Sequence, residues 1–175
     1  MSILEWFHSI RAATSQAGDR GDTETVRRIV GQLDQLDPVR ARYLAAFAYV
    51  LSRVAAADLN ISDAETTKMV DVLQRVGRLP ESQAVLVVEI AKSQNRLFGG
   101  TENFLVTREF REIASESERR ELLDCLFAVA AADHSVSGEE EAQIWQIASE
   151  LGFAHSEYIQ ARLAYSDKRT VLRRD

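Results

Sequence analysis

Residues 51–77 read LSRVAAADLNISDAETTKMVDVLQRVG, and residues 126–152 read LFAVAAADHSVSGEEEAQIWQIASELG. Nine of the 27 aligned positions are identical, including an Ala-Ala-Ala-Asp run, a serine, a glutamate and the closing glycine. In each copy, an apolar stretch precedes the aspartate and apolar residues at helical spacing follow the glutamate. The repeat therefore predicts two helix–loop–helix units related by a pseudo-twofold axis.

Capping boxes mark the starts of several predicted helices. In a capping box, a serine side chain accepts from the backbone N–H three residues on, and the glutamate there accepts from the serine N–H. Proline at the first helical position marks further starts. The predicted helices begin near Ser2, Asp22, Pro38, Ser62, Pro80, Thr101, Ser115, Ser137 and His155.

The composition is typical of an all-α protein of one domain. There are only two prolines in 175 residues, and no Asn-Gly or Asp-Gly hairpin turn occurs. Long periodic stretches with few breakers predict an all-α bundle of about seven to nine helices. We expect an N-terminal helical segment over residues 1–36 that packs on the bundle, a helical domain over 37–166 and a basic tail over 167–175.

Net charge and cysteine content indicate which partners and which cellular compartment to expect. The net charge is −6, which disfavours nucleic acid as a partner. The one cysteine excludes an intrachain disulfide, and this fits a reducing compartment. No apolar run approaches the roughly 18 residues of a membrane span, and the start lacks the basic region of a secretory signal. We therefore expect a cytoplasmic protein.

The first predicted helix carries an apolar stripe. Docking of this stripe on the bundle is the usual role of such a face. The alternatives are a partner groove, a second copy in a homodimer or a membrane surface, so we expect membrane association only through a partner or this helix. The stripe consists of Ile3, Leu4, Trp6, Phe7 and Ile10.

Two acidic pairs occupy equivalent places in the repeat. Asp58 and Glu65 flank the first loop, and Asp133 and Glu140 flank the second. One interpretation is helix capping, because each glutamate completes a capping box at a helix N-terminus. The other is a divalent-cation site, because clustered carboxylates repel each other and suit hard ions such as calcium or magnesium. The residues leave both interpretations open.

The loops are not EF-hands, and zinc is the less favoured metal. Their first positions match an EF-hand loop, but the twelfth, which should be a bidentate glutamate, is Met69 or Ile144. His134 follows Asp133 and is the residue nearest the loops that suits zinc. A lone histidine beside a helix end is more often a cap or a solvated side chain.

At these motifs the sequence resembles the TerB-like tellurite-resistance family of bacterial helical proteins. The resemblance covers about residues 37–165. It is carried by YLAAF (43–47) leading into VAAAD (54–58), and by LLDCLFAVAAAD (122–133) followed by Ser137, Glu140 and Gly152.

The resemblance implies an all-helical bundle with an internal twofold repeat and a cytoplasmic role in stress or tellurite resistance. It also implies a divalent metal, whose ligands would by motif matching be Asp58, Glu65, Asp133 and Glu140. The family usually has glycine after the aspartate, whereas this chain has Leu59 and His134, so its loops are expected to differ in shape.

We expect a non-catalytic module of the bacterial stress response that binds a divalent cation. The alternative is a structural or protein-interaction scaffold whose acids only cap helices. The sequence contains no P-loop, Rossmann or Gly-x-Ser-x-Gly motif, and no nucleophile or general base can be assigned, so we do not expect an enzyme. Protein partners are expected, and their identity does not follow from the residues.

Overall fold

The computed structural model describes residues 20–55, 62–93, 103–131 and 136–172. This part of the chain forms eight α-helices and no β-strand, so the all-α prediction is confirmed. None of these helices combines the length and the apolar character that crossing a membrane requires. The helices are α1 (Arg20–Asp34), α2 (Pro38–Ala55), α3 (Asp63–Arg75), α4 (Glu81–Lys92), α5 (Asn103–Ile113), α6 (Glu116–Ala130), α7 (Gly138–Glu150) and α8 (His155–Leu172).

Three of the predicted helix starts are complete capping boxes. At α3, α6 and α7 the serine side chain accepts from the N–H of the glutamate three residues on, and that glutamate accepts from the serine N–H. These exchanges satisfy backbone donors that the first helical turn leaves without partners. The box predicted at Ser2 lies outside the described residues.

Two helix ends differ from the prediction. α4 ends at Lys92 instead of near Gly99, because the chain tightens at Ser93, whose N–H donates to the carbonyls of Glu89 and Ile90 at 3.1 and 3.2 Å. α8 continues to Leu172 instead of ending near Tyr165, since no glycine or proline follows His155.

Helix α2 lies at the centre of the bundle. It packs on α1, α4, α5, α6 and α7, and every residue from 43 to 51 is buried. Aromatic rings join it to α5, since the Phe110 ring centroid lies 5.4 Å from that of Tyr43 and 6.0 Å from that of Phe47. A helix that is apolar on all sides is stable only when neighbours surround it, which is the case here.

The two repeat units pack on each other reciprocally. α2 contacts α7, α6 contacts α3, and α2 contacts α6. Equivalent positions are buried, as with Leu51 and Leu126, or Met69 and Ile144. The surroundings are not identical, because α6 also packs on α7 whereas α2 and α3 are not among the main packing pairs. The pseudo-twofold axis therefore stays a prediction that this packing favours.

The N-terminal segment is described only from residue 20. α1 packs on α2 and α4, and Arg28 Nη2 donates to Glu89 Oε1 at 3.2 Å. The first predicted helix and its apolar stripe lie outside the described residues, so the role of the stripe is untested. The division of the chain at residues 36 and 166 stays a prediction.

Candidate functional site

Glu65 lies in the first turn of α3. The backbone N–H of Ser62 donates to Glu65 Oε2 at 2.6 Å, and the N–H of Glu65 donates to Ser62 Oγ at 3.2 Å. Within the described residues, the second carboxylate oxygen, Oε1, has no hydrogen-bond partner. The side chain therefore caps the helix with one oxygen only.

Glu140 repeats this geometry at the start of α7. Its Oε2 accepts from the N–H of Ser137 at 2.8 Å, and its own N–H donates to Ser137 Oγ at 3.2 Å. Two further glutamates lie in the same turn: Glu139 is exposed, and Glu141 forms an ion pair of 2.6 Å with Arg162 of α8. The start of α7 is therefore strongly acidic, with one of its carboxylates neutralised.

The aspartates of the acidic motif are not placed by the structure. Asp58 and Asp133 lie in residues 56–61 and 132–135, outside the described residues, and so does His134. In the part of the chain that is described, no three histidine, cysteine, aspartate or glutamate side chains come close enough to hold a metal. The predicted four-residue ligand set is therefore represented by Glu65 and Glu140 alone.

The donor chemistry of these two glutamates fits a hard divalent cation. Calcium and magnesium take carboxylate oxygens, and one oxygen per carboxylate is enough for a monodentate contact. Capping and metal contact would thus use different oxygens of the same side chain, so one does not exclude the other. Glu118 of α6 has the same cap geometry, with Ser115 N–H donating to its Oε1 at 3.0 Å, but it lies outside the acidic repeat.

A second polar feature surrounds the C-terminal end of α7. The Arg53 side chain, 2% exposed, forms an ion pair of 2.6 Å with Glu150, whose side chain is 10% exposed. The same Arg53 nitrogen, Nη1, donates to Thr107 Oγ1 at 2.8 Å. This buried network joins α2, α5 and α7, and a charge removed from water is tolerated only when it is paired in this way.

Two more arginines contact the residues that follow α7. Arg119 of α6 donates from Nη1 to the carbonyl of Leu151 at 3.0 Å, which satisfies one of the free carbonyls at the helix end. The guanidinium of Arg111 lies against Gly152, whose φ of +89° is a backbone conformation that glycine adopts without strain. Arg108 lies one turn before Arg111 on α5 and lines the same cleft, and we call Arg53, Arg108, Arg111 and Arg119 the arginine cluster.

The cluster borders a surface cleft of about 410 Å³ between α5 and α7. Arg108 and Arg111 line it on one side, and Ser149 and Glu150 line it on the other. Arg108 forms an exposed ion pair of 3.5 Å with Glu112, four residues on in the same helix. The described lining thus consists of two arginines, one serine and one glutamate.

A comparison with family models places the chain among known proteins. The model described as "Tellurite resistance protein TerB" matches residues 43–163, which is well over half of the chain. The chain belongs to the TerB family. No match was found among the curated proteins or among the solved structures.

The TerB match covers both copies of the repeat. It takes in α3 to α7 completely, with most of α2 and the first half of α8, and it leaves α1 outside. The acidic motif and the arginine cluster both lie within it. The chain is thus a tellurite-resistance-like helical module, as the resemblance at residues 43–58 and 122–140 predicted.

Sequence reasoning did not find the arginine cluster of this TerB domain. Arg53 and Glu150 are 97 residues apart, so no local spacing relates them. Of the residues at this end of α7, only Gly152 gave a signal, as a helix terminator. Cys125 was predicted to be a buried small hydrophobe, and its side chain is indeed fully buried.

Proposed function

We propose that this TerB-family protein is a non-catalytic helical module that binds a divalent cation through its duplicated acidic motif. The observation that carries this proposal is the repeated spacing in which an aspartate precedes a capping glutamate by seven residues, at Asp58 and Glu65 and again at Asp133 and Glu140. Each of these two glutamates holds its helix cap with one oxygen and leaves the other oxygen without a hydrogen-bond partner among the described residues. The expected setting is the bacterial cytoplasm, in stress response or tellurite resistance, and of these the link to tellurite resistance is in line with the family description.

The ion would be calcium or magnesium, which carboxylate oxygens prefer, with zinc less favoured. Asp58 and Asp133 would complete the ligand set, because in each copy the aspartate precedes the capping glutamate by seven residues. A cation would also relieve the repulsion among these carboxylates and Glu139. The negative net charge and the absence of a nucleic-acid motif support proteins, not nucleic acid, as further partners.

Thermal unfolding with added ions tests the proposal. An ion that binds only the folded form raises the unfolding midpoint as its concentration rises above its dissociation constant. We expect calcium or magnesium to raise the midpoint of the wild-type chain. The shift should vanish in the Asp58→Asn, Asp133→Asn double variant, in which each amide keeps the size but not the charge of the aspartate.

Glu118 supplies a matched control for the glutamates. Glu65→Gln with Glu140→Gln should weaken the ion-dependent shift, whereas Glu118→Gln should leave it unchanged. All three substitutions keep the cap, because glutamine also serves in a capping box. Equal losses in Glu118→Gln would show that the effect reflects helix capping and not metal contact.

The alternative function is a structural or protein-interaction scaffold without metal. It is favoured by the cap at Ser115 and Glu118, which is complete although it lies outside the acidic repeat. In that case none of calcium, magnesium or zinc would move the midpoint. The acids would then contribute only to helix stability, and the function would lie in a surface that recruits a partner.

A further inference from the structure

The described lining of the cleft between α5 and α7 holds two arginines and one acidic residue. That acidic residue is Glu150, and the buried Arg53 already neutralises it at 2.6 Å. Arg108 is held by Glu112 at 3.5 Å, with both side chains about 60% exposed, so this pair is weak in water. Among the described residues, no carboxylate lies within ion-pair distance of Arg111.

Arg111 is positioned by the backbone of Gly152. A Cβ added at Gly152 would lie 2.8–2.9 Å from Cζ, Nε and Nη2 of Arg111, so the guanidinium approaches the chain as closely as a glycine permits. Capping of the end of α7 does not by itself explain why Arg111 lies here, because Arg119 already donates to the Leu151 carbonyl. The exposed Arg111 side chain thus lies against Gly152, and no carboxylate among the described residues pairs with it.

Two buried guanidinium nitrogens near this end of α7 also lack partners, although their arginines are not among the described lining residues of the cleft. Arg53 Nε and Arg119 Nε are buried and have no hydrogen-bond partner in the described part of the chain. Buried N–H groups are nearly always paired in folded proteins, so unpaired ones call for an explanation. Ser149, on the α7 side of the cleft, adds a hydroxyl that donates or accepts.

We infer that this cleft binds an oxyanion, the carboxylate or phosphate group of a small ligand, with Arg111 as its main contact. A guanidinium presents parallel N–H donors that match the oxygens of either group. Arg108 would add a second cation once the anion competes with Glu112, and Ser149 would add a hydrogen bond. A volume of about 410 Å³ is in the range of small-ligand sites.

The test is a titration followed by the NMR signals of the arginine Nε–H groups. Inorganic phosphate and succinate are added separately to the metal-free protein, and sodium chloride holds the ionic strength constant. We expect saturable shifts of the Arg111 and Arg108 signals. Saturation by phosphate alone would assign a phosphate ligand, and saturation by succinate alone would assign a carboxylate.

Variants separate binding from general charge. Arg111→Gln should weaken the apparent affinity at least about tenfold, because it removes a charged hydrogen-bond donor. Arg75→Gln is the control, since Arg75 is an exposed arginine on α3 with an i,i+4 ion pair of the same kind as that of Arg108. It should change nothing, and the melting temperature of each variant verifies folding.

Three results would overturn the inference: shifts that grow linearly without saturation, shifts that chloride alone reproduces, or equal affinity in Arg111→Gln and the wild type. These results would not bear on the cation proposal, because no divalent ion is present and the acidic motif is unchanged. Conversely, failure of the cation experiment would leave the anion titration unaffected.

Discussion

Gly152 and Gly31 differ in what a side chain would meet. At Gly152 the backbone has φ +89°, and an added Cβ would touch the Arg111 guanidinium. At Gly31, inside α1, nothing lies within 4 Å of an added Cβ. The structure thus gives two glycines in one bundle opposite roles, one required by backbone conformation and one merely tolerated in a helix.

We expect the two alanine substitutions to act in opposite directions. Gly152→Ala should lower the free energy of unfolding by roughly 1–3 kcal/mol, because a non-glycine residue is strained there. Gly31→Ala should raise it by about 0.5–1 kcal/mol, because alanine is the better helix former. Urea unfolding measures both, and a stabilising Gly152→Ala would contradict the assigned backbone.

Cys125 gives the stability of the bundle a pH dependence. Burial raises the pKa of its thiol, and the nearby Asp124 and Glu121 carboxylates raise it further. The unfolded thiol ionises near pH about 8.5 while the folded thiol stays protonated. The stabilising contribution is therefore complete below that pH and is lost as the pH rises, by up to about 1.4 kcal/mol per pH unit.

Cys125→Ala should remove this part of the pH dependence. We expect the free energy of unfolding of the wild type to fall more steeply between pH 8 and pH about 9.5 than that of the variant, a range below the usual tyrosine pKa. Parallel curves would contradict the assignment. A thiol reagent should likewise modify Cys125 only as fast as the protein opens, and rapid modification of the native state would count against its burial.

At the scale of the element, capping decides where helices begin. Ser137 and Glu140 exchange hydrogen bonds of 3.2 and 2.8 Å at the start of α7. Ser137→Ala should cost about 1 kcal/mol, since it leaves the Glu140 N–H without its acceptor. Ser149→Ala, at an exposed site near the other end of the same helix, is the control and should cost much less. Chemical denaturation distinguishes them, and equal effects would argue against the cap.

Helix starts were more predictable than helix ends, for a physical reason. A capping box needs only residues three apart in sequence, so Ser62, Ser115 and Ser137 could be found from spacing alone.

The two copies of the repeat end differently, although both close on a glycine in the sequence. Gly152 has a positive φ, whereas in the first copy the positive φ of 54° belongs to Arg78, the residue after Gly77. Gly77 is required for close packing instead, since an added Cβ would lie 2.8 Å from the Leu73 carbonyl oxygen and 3.0 Å from Cys125 Sγ.

At the scale of the whole molecule, the Arg53–Glu150 pair joins α2 of the first repeat unit to α7 of the second. Arg53→Met should lower the free energy of unfolding by about 3–5 kcal/mol, because it leaves the Glu150 carboxylate largely buried without its counter-ion. Adding Glu150→Met should restore much of the loss, since two apolar side chains need no counter-charge. A double variant as unstable as Arg53→Met alone would contradict this assignment.

The fold could be predicted from the sequence further than the sites could. Periodicity, caps and the repeat each depend on residues close in sequence, and together they predicted the helical bundle that the family match supports. The arginine cluster depends on contacts between α2, α5, α6 and α7, which no local pattern encodes. Of the acidic motif, the caps at Glu65 and Glu140 were predictable, and their use of only one oxygen became visible in three dimensions.

The central claim is that the duplicated acidic motif holds a divalent cation, and counting bound ions tests it most directly. Equilibrium dialysis against radioactive calcium, with excess sodium chloride, measures the ions retained per chain. We predict saturable retention by the wild type and by Glu118→Gln, and loss of retention in the Asp58→Asn, Asp133→Asn double variant. The claim would be contradicted if the wild type retained neither calcium nor magnesium. It would also be contradicted if the double variant retained as much calcium as the wild type.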